Sequence, residues 1–136
     1  MNILELNLCN PLYYRKSNER AENGAEELFC FALNPSEAWS IAPQADKLVK
    51  EQIFHGFIAT PDAKETEGME MLIGHYLFAQ MRGNAAQDDW LLIALEAQKY
   101  GLQKGFHLGN RLFVRILFED GKKVTQMFRP YSSSIN

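Results

Sequence analysis

Three histidines, two cysteines and a glycine-spaced cationic stretch are the residues of this chain whose types could do chemistry. His55 lies between Phe54 and Gly56, His75 beside Gly74 in an apolar segment, and His107 among glycines. A metal site on a helix wants pairs such as His-x-x-x-His on one face, and the sequence has none. Glu70 and His75 are five positions apart and fall on different faces of a helix, where Met71 and Ala79 are the one-turn neighbours of His75. Cys9 and Cys30 form no Cys-x-x-Cys pair and supply too few ligands for zinc, so they read as reduced structural residues. A thiolate pair of Cys30 with His55 or His107 requires the fold to bring them together. Gly-x-Ser-x-Gly is missing, and Ser132, Ser133 and Ser134 cluster near the C-terminus. Neither a cofactor nor a metal is expected.

Residues 99–111 read Lys-Tyr-Gly-Leu-Gln-Lys-Gly-Phe-His-Leu-Gly-Asn-Arg. Gly101, Gly105 and Gly109 recur every four residues among Lys104, His107, Asn110 and Arg111, a pattern that presents backbone N–H groups and cationic donors to an anion or phosphate. It matches neither the P-loop nor the dinucleotide fingerprint, and it follows a helix where those motifs open one. A helix C-cap and a loop with positive φ angles explain the same glycines without a ligand.

Acidic residues gather elsewhere. Glu19, Glu22, Glu26 and Glu27 fall in and after an aperiodic stretch, Asp62, Glu65, Glu67 and Glu70 surround an element start, and Asp88 and Asp89 sit where a helix dipole favours acids. If the first two groups approach one another they make a negative face for a basic protein partner, with fast steered association. A solvated surface is the competing explanation. The division is global: residues 1–98 hold 15 of the 17 acids and 7 of the 14 bases, a balance of −8, whereas residues 99–136 carry +5. The net charge of −3 disfavours nucleic acid as partner, although Arg115, Lys122, Lys123 and Arg129 lie among aromatics. Lysines that guard a sheet edge account for part of that cluster.

The elements that must position these residues follow from periodicity. Residues 3–8 alternate and end at Asn10-Pro11, a first strand and turn; residues 13–25 lack periodicity and predict a long loop. Residues 28–33 form a continuous apolar run, a central strand. Asn34-Pro35-Ser36-Glu37 is a helix start with cap, first-turn proline and capping-box acid. Pro43 divides this short helix from a second at 43–50, and 52–59 reads as a strand ending at Thr60-Pro61. Met69, Leu72, Ile73, Tyr76, Leu77 and Gln80 recur at helical spacing and predict a long helix. A second follows over 85–100, capped by Asn84 and stopped by Gly101. Alternation over 112–119, Asp120-Gly121 and the return 124–128 define a hairpin, with 131–136 as a frayed tail.

The expected fold is a single α+β domain over residues 1–136. A mostly antiparallel sheet of about five strands packs against two longer helices and one or two short ones, and a C-terminal β-hairpin closes the chain. The N-terminus lacks a basic leader and an apolar run, and no segment has the roughly 18 uncharged apolar residues of a membrane span, so a cytoplasmic protein without membrane contact is expected. The functional expectation is a small protein-binding module, an inhibitor or immunity-type protein that covers a basic partner such as a nuclease toxin. The alternative is a small enzyme or anion-binding domain using residues 101–111. A homodimer through the apolar hairpin edge is a third arrangement.

Overall fold

The computed structural model describes residues 2–18, 25–40, 42–60, 69–83 and 87–133. Its strands are β1 (Leu4–Lys16), β2 (Glu27–Leu33), β3 (Val49–Ile58), β4 (Glu70–Arg82), β5 (His107–Leu108), β6 (Arg111–Glu119) and β7 (Lys122–Ser132). Its helices are α1 (Pro35–Ala38), α2 (Ala45–Leu48) and α3 (Gln87–Gln103). The most local feature is the hairpin of β6 and β7, where Asp120 and Gly121 both take positive φ, 51° and 76°. That pairing of signs is the two-residue turn whose twist matches the flanking strands. Glu119 stands opposite Lys122 across it, and its carboxylate accepts from Arg82 at 2.7 Å.

All pairings among the strands are antiparallel, in the order β4-β1-β3-β2-β6-β7-β5, and an additional β4–β7 ladder closes six strands into a ring. Closure leans on a short seam. β1 meets β3 at Tyr14↔Ile58, Arg15↔Phe57 and Lys16↔Gly56 only, against eight register pairs with β4. β5 carries the line of β6 onward past an offset at Gly109 and Asn110, where the Gly109 N–H donates to the Pro130 carbonyl at 2.8 Å.

Alternation sorts the side chains into two cores. Inside the ring lie Tyr14, Leu28, Cys30, Leu72, Tyr76, Phe113 and Phe128, all buried, with Tyr76 edge-on to Phe128 at 5.8 Å and Tyr14 stacked on Phe54 at 5.3 Å. The interior is therefore filled by aromatic and aliphatic side chains. Outside, Leu33, Ala79, Leu112, Val114 and Met127 pack against Trp90, Leu91, Ile93 and Ala94 of α3.

Helix α1 is fastened by a buried polar knot. Arg129 is 2% exposed and has no carboxylate partner among the described residues; its Nε donates to the Gly109 carbonyl at 2.6 Å, one terminal nitrogen to Gln98 Oε1 at 2.9 Å and the other to the Ala38 carbonyl at 3.3 Å. Gln98, fully buried, donates from Nε2 to the Glu37 and Ser40 carbonyls at 2.5 and 2.6 Å. The last carbonyls of a helix lack intrahelical donors, and α1 is all ends, so these side chains complete what one turn leaves open. Burial holds the Arg129 guanidinium down to about 10.

The expected five-stranded sheet on two long helices is not what forms. Strands make up 58% of the structure and helix 21%, with seven strands and only α3 longer than a single turn. The predicted helix beginning at Met69 is strand β4. From Tyr76 onward both of its faces are covered, Tyr76 and Phe78 by the ring interior and Leu77 and Ala79 by α3, so apolar residues occupy positions that satisfy either period. Gly74, at φ 102°, is also incompatible with a helix interior. The predicted turn at Asn10-Pro11 is a bulge inside β1, where the register passes from Leu8↔Gly74 to Leu12↔Leu72 and leaves Ile73 without an opposite residue. Tyr76 Oη takes over, accepting from the Ile73 N–H and donating to its carbonyl, both at 3.1 Å. Residues 13–16, expected in a loop, are strand, as are 131 and 132 of the expected tail. The stop at Pro61, the cap at Asn84 and the tail residues 134–136 lie outside the described residues. The Asn34 cap does form, accepting from the Ser36 N–H at 3.3 Å, whereas Glu37 receives the Gln44 N–H at 2.8 Å and so braces α2.

The seam yields a test. A Cβ at Gly56 would stand 2.3 Å from the Arg15 carbonyl oxygen, a backbone atom that cannot rotate away, whereas one at Gly101 would meet only the methyl ends of Leu108 and Leu77. Gly56→Ala is expected to cost about 2–3 kcal/mol and Gly101→Ala about 1 kcal/mol. Urea unfolding midpoints of the two variants measure the difference.

Candidate functional surface

Of the eight carboxylates expected to form a partner face, Glu19, Glu22, Asp62, Glu65 and Glu67 lie outside the described residues. The other three each hold a partner. Glu26 Oε2 accepts from Arg115 at 2.7 Å, Glu27 Oε2 meets His55 Nε2 at 2.9 Å, and Glu70 takes Tyr14 Oη at 2.9 Å and Lys16 Nζ at 3.1 Å. Glu26 and Glu27 open β2 while Glu70 opens β4, with β3 and β1 between them. Glu70 belongs to the rim of the ring. Tyr14 and Lys16 flank Phe54 there, Lys16 Nζ standing 4.9 Å from the centre of that ring. The Tyr14 hydroxyl first and Lys16 second hold the Glu70 carboxyl below its ordinary value, while burial pushes the Tyr14 phenol up.

The four anion-site candidates occupy separate positions. Lys104 Nζ lies 3.3 Å from Glu5 Oε2 and 5.2 Å from the Tyr100 ring centre. His107 sits opposite Ser132, the Asn110 carbonyl accepts from the Leu33 N–H at 2.9 Å, and Arg111 sits opposite Ala32. Among the described residues no hydrogen bond or ion pair joins any two of the four. The glycine N–H groups that would cradle an anion are engaged: Gly105 N–H with the Leu102 carbonyl at 3.1 Å and Gly109 N–H with that of Pro130.

The nucleophile candidates are also placed apart. Cys30 lies inside the ring, where burial pushes its thiol up to about 11, and neutral pH leaves it protonated. His55 is one position beyond Phe54, the residue opposite Cys30, and so projects from the other face, stacked on Phe29 at 4.7 Å. Cys9 is exposed in the β1 bulge, and both cysteines are free. No group of three or more His, Cys, Asp or Glu among the described residues is arranged to hold a metal ion. No helix among them is long and apolar enough to cross a membrane.

What the sequence reading missed is apolar. Met71 and Ile73 project from the outer face of β4 with 48% and 50% of their surface exposed, and Tyr13 stands opposite Met71. A helical reading assigns Leu72 and Ile73 to a common stripe, whereas alternation sends Leu72 into the ring and Met71 and Ile73 outward. The patch adjoins Ala59, whose N–H donates to the Tyr13 carbonyl at 3.0 Å, and Met69. In sequence, Ala59 and Met69 flank the stretch that contains Asp62, Glu65 and Glu67. Comparison of the chain with protein-family models and with curated protein sequences finds no match to either.

The rim makes a pH prediction. A carboxyl whose folded pKa is lowered contributes stability above its unfolded value, here the ordinary 4.5, and loses it as the pH falls through the folded one. Glu70→Gln is therefore expected to lower stability at neutral pH and to flatten the decline below pH 4.5. Urea midpoints recorded against pH check both.

Proposed function

We propose that this chain is a protein-binding module of inhibitor or immunity type, whose contact surface is the outer face of β1 and β4 around Met71 and Ile73 and whose partner is basic. The observation that carries the reading is the adjoining exposure of these two side chains, with Tyr13 opposite Met71, close in sequence to Asp62, Glu65 and Glu67. Large apolar side chains at the centre of a contact supply most of its affinity, while surrounding charges set encounter rate and partner choice. A filled ring interior suits a protein that works from its surface. The finer form, a protein that covers a nuclease toxin, rests on the acidic balance of residues 1–98, which suits a basic nucleic-acid-binding partner.

Immobilised wild type is expected to capture a basic protein with an affinity that falls as salt rises. The double variant Met71→Glu, Ile73→Glu is expected to lose at least about tenfold in affinity, mostly through faster dissociation. Reversal of Glu65, Glu67 and Glu70 to Lys should instead slow association. Binding unchanged in both variants rejects this face.

The anion-binding reading retains one specific support, a recess of about 320 Å³ formed by His107, Leu108, Gly109, Pro130, Tyr131 and Ser132. It requires a phosphate-induced rise in Tm that His107→Ala and Arg111→Ala abolish.

A further inference from the structure

The short seam between β1 and β3 leaves two strand edges without a partner among the described residues, and they differ in kind. On β3, Val49 to Ile53 has a partner only in β2, and its line is broken twice, since Ile53 and Lys50 are extra residues in that register. Lys50 and Glu51 add charge. Bulges and charges are the usual protection of an exposed edge. On β1, residues 4–8 run without a bulge, proline or lysine in the order Leu-Glu-Leu-Asn-Leu, paired only with β4. Leu4 is 54% exposed.

The ladder phase says which groups that edge offers. The Tyr13 carbonyl accepts from Ala59 N–H, and Ser17 N–H donates to the His55 carbonyl, so odd-numbered residues of β1 direct their backbone groups toward the β3 side. The phase persists across the bulge, because Leu8 and Leu12 are an even number of residues apart. Ile3, Glu5 and Asn7 therefore point N–H and C=O groups at the free edge, with no backbone partner among the described residues. Unpaired strand groups in a row are a template for another strand.

We propose that a second copy of this chain occupies the β1 edge, pairing β1 with β1 antiparallel about a two-fold axis at Leu6. Self-complementarity selects this occupant and register. With Leu6 opposite Leu6 of the second copy, Glu5 exchanges both backbone bonds with Asn7 of the second copy, and Leu4 faces Leu8. Apolar side chains thus meet apolar ones. A two-fold axis at Glu5 would oppose two carboxylates, and an axis at Asn7 would set Leu4 against Asn10; both match the pattern less well. Beside Asn2, Ile3 and Leu4 there is open space of about 650 Å³ against Glu96, Lys99 and Tyr100 of α3, which leaves room for the bulged end of the second strand. The pairing is isologous and closed, so it stops at a dimer. It is independent of the Met71–Ile73 face and stands or falls without it.

Sedimentation equilibrium across a range of concentrations tests the proposal on the full chain. A monomer–dimer equilibrium is expected. Asn7→Lys places a cation opposite Glu5 in both symmetric pairs and should tighten it by about fivefold, and Asn7→Glu should loosen it by about as much. Hydrogen exchange of the Glu5 and Asn7 amides should slow as concentration rises. A species that stays monomeric, a dimer indifferent to both substitutions, or edge amides already protected in dilute monomer each overturns the proposal. The opposite signs expected for the two variants separate a pairing effect from a loss of folding.

Discussion

A buried guanidinium with no carboxylate partner among the described residues ties α1 and α3 to the ring. Arg129 comes from β7, and its donors reach the carbonyls of Gly109 and Ala38 and the side chain of Gln98 on α3. Gln98 then reaches two further carbonyls around α1. Burying a cation is costly unless its donors are used, and here the acceptors are the Gly109 and Ala38 carbonyls and the Gln98 side-chain oxygen. Each side of the knot answers a need of the other. A helix as short as α1 has no stability of its own, and the knot explains how it persists in a protein whose framework is sheet.

The ring and the knot divide the work of the fold. Inside the ring, aromatic side chains meet edge-on and stacked and form one buried apolar cluster. Polar groups that reach the rim pair with each other, as Glu70 does with Tyr14 and Lys16 and Glu26 with Arg115. Two outer features remain unsatisfied among the described residues: a half-exposed apolar patch on β4, and an edge on β1 that the closing seam does not reach.

Local signals were legible in the sequence, and non-local ones were not. The hairpin was readable because Asp120-Gly121 fixes its own geometry, and the start of α1 because Asn34 caps within two residues. Strand β4 was not, since coverage on both faces replaces alternation by an apolar run, and a run of that length fits a helix. The closing β4–β7 ladder joins residues about 50 apart and leaves no trace in any window. Arg129 looked like one more surface cation because its partners are backbone carbonyls, which no side-chain pattern announces. Likewise the acids at 26, 27 and 70 looked available until their cross-strand partners Arg115, His55 and Lys16 were in place. Charge counts along a chain cannot register such neutralisation, since each partner comes from a different strand.

The central claim, that Arg129 and Gln98 act as one unit holding α1 and α3 to the ring, is tested most directly by a double-mutant cycle in chemical unfolding. Arg129→Met and Gln98→Leu should each cost about 2–4 kcal/mol by stranding buried carbonyls, and the pair should cost less than the two together by about 1–2 kcal/mol. Additive losses, or an Arg129→Met variant as stable as the wild type, would contradict it.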